Sequence, residues 1–304
     1  MKGALCMILV GLLAGAGPVR ADKLRVVTTT ADLAAIARRV GGERVEVETI
    51  ARGYQDPHYV QAKPSYMRRV NRADLLVYTG LQLEIGWLPV LIEGSRNPAV
   101  VPGARGLLDA SRGIEVLEVP AGEVDRSMGD IHPEGNPHYL LDPRNGLVVA
   151  GTLAARLGER APADTATFNA NLMQFQLDLA LEIVDWEDRA AALRGQQVVA
   201  YHKQWEYLAA WLGMEIMGYV ENKPGIPPSP RHLAGLVKRM RAARVRMVLC
   251  ANYVDPATAR RVAAKTGARV VVLPVAAGGE EGVETYAGLF EVILERLEQA
   301  LDED

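Results

Sequence analysis

ADTATFNANLMQFQLDLALEIVDWEDRAAAL, residues 163–193, contains neither glycine nor proline and places Leu172, Phe175, Leu179, Ile183 and Trp186 at helical spacing. The spacing predicts one helix, longer than a usual globular helix and so in need of a role of its own. On either side the pattern changes to short β-branched runs alternating with helical segments. Before it come strand-like Leu24–Thr29, helical Ala31–Val40, strand-like Val45–Ile50, helical Pro64–Val70, strand-like Leu75–Tyr78 and helical Gly86–Glu93. After it come strands at 197–201, 215–219, 247–250 and 268–273, with helices at 205–212, 232–242, 256–266 and 284–301. Strands alternating with helices imply parallel β-α-β units covered on both faces. The expected fold is therefore α/β, with two lobes of parallel sheets covered by helices and joined by one long backbone helix. The expected division is an N-terminal lobe at 22–160, the linking helix at 161–194 and a C-terminal lobe at 195–304.

Residues 1–21 stand apart from this fold. Lys2 is a basic start, Leu5–Leu13 is an apolar stretch, and Val19-Arg20-Ala21 supplies small residues around a cleavage point, the pattern of an export signal peptide. The apolar stretch is shorter than the roughly 18 residues of a membrane helix. Cys6 lies inside that stretch and not just after it, so release into the periplasm is expected in place of lipid anchoring. Cleavage leaves Cys250 as the remaining cysteine of two, which excludes an intramolecular disulfide. The net charge of −3, with Lys and Arg scattered, leaves no electrostatic footprint for nucleic acid. A small ligand or protein partner for a monomer is the expectation.

The chain has five histidines. His58 in Asp56-Pro57-His58, His138 in Asn136-Pro137-His138 and His202 in Tyr201-His202 all fall at strand ends or in loops. In open parallel sheets the ligand crevice lies beyond the carboxyl ends of the strands, where imidazoles from both lobes can converge. Imidazole favours zinc, copper, iron and nickel, whereas manganese prefers more carboxylate. Three imidazoles with one oxygen ligand would make a tetrahedral zinc site, and the prolines before His58 and His138 stiffen the backbone presenting the rings. The bland alternative is three surface or hydrogen-bonded histidines. His132 reads either as an assisting ligand or as a loop histidine bonded to a carbonyl, and His232 as a structural residue at a helix start.

Asp56-Pro57-His58-Tyr59 with Lys63-Pro64-Ser65, then Asn136-Pro137-His138-Tyr139-Leu140-Leu141-Asp142-Pro143, then Tyr201-His202-Lys203 with Trp205 and Tyr207, resemble the three ligand motifs of the zinc and manganese solute-binding proteins of ABC importers (cluster A-I). The resemblance covers nearly the whole chain after the signal. It implies two lobes on one backbone helix, His58, His138 and His202 as metal ligands, and a membrane permease as partner, with a dedicated zinc chaperone as a further candidate. In that family histidine at the third position goes with zinc, which makes Zn2+ the expected transported ligand and a manganese-specific protein the alternative. The fourth ligand departs from the pattern, since Leu273 stands where an aspartate is usual. Water, His132 or the Gly278–Gly282 loop must complete the site, and Glu280 is the expected choice against the reading of a solvated acidic turn. Asp142 is expected to cap the following helix or to orient His138. Residues 115–128 are acidic and carry no histidine, which argues against an accessory zinc-collecting loop.

An open three-histidine site would also suit a zinc-dependent hydrolase. The chain lacks a metalloprotease helix with two histidines flanking a glutamate and lacks a Gly-x-Ser-x-Gly elbow, so binding without catalysis is the expected role. A purely structural or adhesive role predicts no metal-dependent stability. The continuous helix implies little motion between lobes, with release through local opening of the Glu280 loop.

Overall fold

The computed structural model describes residues 22–122, 124 and 128–302, so the signal-peptide reading of residues 1–21 lies outside the described residues. Four parallel strands, β1 (Leu24–Thr28), β2 (Val45–Thr49), β3 (Leu75–Tyr78) and β4 (Leu107–Asp109), form a first sheet in the order β2-β1-β3-β4. A second sheet repeats the winding with β5 (Gln197–Ala200), β6 (Glu215–Tyr219), β7 (Met247–Ala251) and β8 (Arg269–Leu273) in the order β6-β5-β7-β8. The helices are α1 (Ala31–Gly41), α2 (Pro64–Asn71), α3 (Leu88–Ser95), α4 (Pro143–Arg160), α5 (Thr165–Arg189), α6 (Glu206–Leu212), α7 (Pro230–Ala243), α8 (Ala257–Ala264) and α9 (Tyr286–Asp302). This is the two-lobed α/β architecture expected from the alternation.

The inner strands β3 and β7 are apolar on both faces because helices cover both. In the first sheet Val26, Leu75 and Leu108 face inward, while Val27 and Leu76 face an outer layer with Val70, Trp87 and Leu91. The second sheet divides likewise, Val198 and Leu249 facing inward and Val199 and Val248 packing on Leu236 and Val262. The two inward faces belong to one continuous core, and α5 runs through it with Phe168, Phe175, Leu179, Ile183 and Trp186 buried. The expected long helix thus has its role as a shared wall, and its last turn tightens to a 3-10 turn at Ala190–Leu193.

The lobes are joined by more than this helix. Along α5, Trp186 donates to Glu291 of α9 at 3.0 Å and Arg189 bridges Glu291 and Glu298. The Tyr286 hydroxyl donates to the Leu140 carbonyl at 2.9 Å, and the Asp32 carboxyl of α1 accepts the Ala277 N–H at 2.7 Å. Among the described residues no helix is long and apolar enough to cross a membrane.

Candidate metal centre

Strand ends position the site. His58 follows β2, His138 ends the long connection after β4, and His202 lies two residues past β5, so each reaches the carboxyl edge of a sheet. The ring nitrogens of these three lie within 4.8 Å of one another. Ring centroids are 5.2 Å apart for His58 and His138, 5.8 Å for His58 and His202, and 6.1 Å for His138 and His202. The rings meet at 56°, 73° and 89°, so they fan around a point and do not stack.

Two of the rings are oriented by carboxylates. Asp56 Oδ1 accepts from the His58 backbone N–H at 3.0 Å and lies 2.7 Å from Nδ1 of the same residue. The preceding Pro57 carbonyl is fixed by Trp87 Nε1 at 2.8 Å. Burial works to raise the Asp56 pKa, but its bonds to His58 outweigh this and hold it below the usual value. Nδ1 of His202 lies 2.8 Å from Glu221 Oε2, which also accepts the Gly225 N–H at 2.9 Å. A carboxylate can only accept, so it fixes the N–H at Nδ1 and leaves the Nε2 lone pair of His58 and of His202 directed away, as in metal-bound imidazoles.

The third ring is held by its backbone. Asn136 Oδ1 accepts the His138 N–H at 3.0 Å, and buried Asn136 is bonded across the lobes to Glu206 at 3.0 Å and by Tyr207 Oη on its carbonyl at 3.0 Å. Nε2 of His138 is buried without a hydrogen-bond partner. A buried orphan of this kind costs about 1–3 kcal/mol unless a ligand satisfies it. Burial, reinforced by His58 and His202, holds the His138 pKa well below the ordinary histidine value, so the ring is neutral and ready to donate its lone pair. Asp142 caps α4, accepting the Arg144 N–H at 2.9 Å and its guanidinium, which is the capping alternative of the two expected roles. His232 starts α7 with Nε2 2.9 Å from the Tyr219 carbonyl, consistent with a structural residue.

Glu280 is not part of this cluster, which corrects the expected fourth ligand. Its carboxylate is taken by Arg296 of α9, whose guanidinium also donates to the Val272 carbonyl at 2.8 Å. The loop expected to open is tied down as well: Ala277 is bonded to Asp32, Asn252 Nδ2 donates to the Gly279 carbonyl at 3.0 Å, and Gly53 sits so close to Ala277–Gly279 that a Cβ there would meet their backbone at 2.4 Å. Glycines counted from sequence suggested looseness, but here they permit close contact between loops of the two lobes. Leu273 is fully buried in the core.

His132 stands beside the cluster. Its Nε2 is 3.2 Å from Nε2 of His58, and burial together with the neighbouring His58 pushes its pKa down to about 4. A ring hydrogen bond to the Gln82 backbone matches the loop-histidine reading, while the approach to His58 matches the assisting-ligand reading. Glu221 was missed by sequence reasoning. Its signal was an acidic residue just past the end of β6, the position that β5 gives His202.

Beside His138 a cavity of about 60 Å³ is lined by Asp32, Pro57, Gln204 and Tyr253, among others. Small-molecule sites measure ~300–1,000 Å³, so this space is too small for an organic ligand.

The family model described as zinc-uptake complex component A, periplasmic (ZnuA) matches residues 26–300. The manganese ABC transporter substrate-binding lipoprotein PsaA of Streptococcus pneumoniae is 24% identical over 292 residues, covering 92% of this chain and 90% of its own. The metal ABC transporter substrate-binding lipoprotein ScbA of Streptococcus cristatus is also 24% identical, over 92% of this chain and 89% of its own. Among solved structures, a crystal structure of ZnuA superposes with a TM-score of 0.77 at 22% identity, covering 92% of this chain and 99% of that one. The Mn-bound periplasmic metal binding protein from candidatus Liberibacter asiaticus does so with 0.76 at 19%, over 92% and 100%. At these identities the superpositions establish the shared fold, and the match over residues 26–300 establishes descent. The chain therefore belongs to the ZnuA family, the substrate-binding proteins of ABC-type metal importers, which bind and carry metal and are not enzymes.

Proposed function

We propose that this protein captures Zn2+ in the periplasm, after export on a cleaved signal peptide, through His58, His138 and His202, and delivers it to the permease of an ABC importer. The observation that carries this reading is the convergence of three imidazoles: Asp56 and Glu221 hold the Nδ1 atoms of His58 and His202, and Nε2 of His138 is buried with no hydrogen-bond partner. Such a donor set favours zinc over manganese, because the nearby carboxylates are bonded to imidazole Nδ1 atoms and the inner donors are nitrogen.

The manganese alternative rests on the names of relatives such as PsaA. Thermal unfolding with and without each ion separates the two. A ligand that binds the folded state alone stabilises it by about 4 kcal/mol at a thousandfold excess over Kd. Zinc should raise the Tm of the wild type and do so far less for His58→Ala, His138→Ala or His202→Ala. A larger shift with manganese than with zinc, or no shift with either, would remove the reading.

A further inference from the structure

We infer that His132 is the fourth metal ligand, an imidazole carried on a strap between the lobes, and that it closes the coordination sphere where Leu273 leaves no donor. The inference rests on the three-histidine reading above and adds to it.

The geometry begins with His58. Asp56 claims the Nδ1 proton, so Nε2 of His58 presents a lone pair, and 3.2 Å away stands Nε2 of His132. The Gln82 backbone holds the His132 ring as well. The two ring nitrogens stand at a separation that a shared proton bridges in the metal-free protein and that a shared cation could bridge in its place. In a tetrahedral site with Zn–N distances of about 2.0–2.1 Å, neighbouring nitrogens are about 3.3 Å apart, which is close to the observed separation. His132 lies outside the 4.8 Å group of the other three, so its ring must move toward His138 and His202 to complete the set.

The segment carrying His132 is built to be held at both ends. Asp130 accepts the Tyr59 hydroxyl at 2.5 Å on the N-terminal lobe, and its own N–H donates to the Pro224 carbonyl at 2.9 Å on the C-terminal lobe. Tyr59 adjoins His58. Pro224 lies in the turn whose Gly225 N–H is bonded to Glu221, the partner of His202. Gly129 approaches Pro224 so closely that a Cβ would meet its carbonyl oxygen at 2.2 Å, and its φ of +84° suits glycine. Beneath the strap, Leu81 and Gln82 both adopt left-handed backbone (φ 50° and 62°), a strained turn that aims the Gln82 backbone at the His132 ring. Four imidazoles would strengthen the preference for zinc over manganese.

The test uses the full-length mature protein with 15N-labelled histidine, since five imidazoles are few enough to resolve individually. On addition of one equivalent of zinc, the Nε2 resonance of His132 should move to the metal-bound range with those of His58, His138 and His202, while His232 stays unchanged. In parallel, chelator competition should show zinc affinity in His132→Ala reduced by ~100-fold or more, since even partners outside the coordination sphere are worth ~10–100-fold. Dissociation should be faster in Asp130→Ala, whose four histidines are intact. An unmoved His132 resonance, with affinity in His132→Ala within about threefold of wild type, would overturn the inference while leaving the three-histidine site standing if His58→Ala still abolishes binding. Unchanged affinity in both His132→Ala and His58→Ala would overturn the three-histidine reading and this inference with it.

Discussion

Replacing Asp32 by asparagine should make the metal-free protein more stable at neutral pH, although Asp32 bridges the lobes. The carboxyl is fully buried at the start of α1, and its hydrogen bond from Ala277 offsets only part of the cost of that burial, which pushes its pKa from 3.8 to about 7. Between those values the folded chain holds a proton that the unfolded chain has released. The folded pKa is raised, so stability falls as pH rises, at about 1.4 kcal/mol per pH unit. The whole shift, roughly three units, corresponds to about 4 kcal/mol. Asparagine keeps an oxygen for the Ala277 N–H and cannot ionise. Urea unfolding of both proteins at pH 5, 6, 7 and 8 should therefore show Asp32→Asn gaining on wild type by about 2 kcal/mol from pH 5 to 7, with the gap levelling off by pH 8. Parallel stability profiles would refute the reasoning, and a variant less stable at every pH would show that the acid proton has a partner asparagine cannot replace.

Three further outcomes follow from the same geometry. Glu221→Ala removes the acceptor that orients His202 and should weaken zinc binding by about 10–100-fold in chelator competition, with one ion still bound at saturation. Glu280→Gln should leave zinc stoichiometry and affinity unchanged and lower stability by no more than ~1 kcal/mol, because the Arg296 pair is partly exposed; loss of zinc there would restore Glu280 as a ligand. His132 and His138 have depressed folded pKa values, so below the unfolded value of 6.5 the unfolded chain gains protons first. Metal-free protein should therefore lose stability as pH falls from 6.5 toward 4, and His132→Ala should flatten that limb when followed by urea unfolding.

Most of the fold was legible because most elements wrote their period plainly. The glycine-free run at 163–193 and the apolar runs such as Leu75–Tyr78 had one reading each, and α5 and β3 appear where they pointed. β4 was not legible, since Leu107-Leu108-Asp109 is too short to show a period and is a strand only because β3 offers it an edge. Strand ends in parallel sheets made a meeting of His58, His138 and His202 possible, and the resemblance of their motifs to those of metal-binding proteins singled these three out. The edge of the site did not, because it depends on contacts distant in sequence. Arg296 claims Glu280 from 16 positions away, Glu221 reaches His202 from 19, and His132 meets His58 across 74. The Gly278–Gly282 segment shows the same limit: its glycines suggested an opening loop, while Gly53 packs on it from the other lobe, Asn252 holds it within its own, and Asp32 bonds the adjoining Ala277.

Metal content tests the central claim most directly. Metal-free mature protein is equilibrated with zinc and manganese in equal excess, passed through a desalting column and analysed for both ions. One zinc per chain with negligible manganese is the predicted result, falling to little or none of either ion in His58→Ala, His138→Ala and His202→Ala. Stoichiometric manganese in the wild type, or undiminished zinc in those three variants, would contradict it.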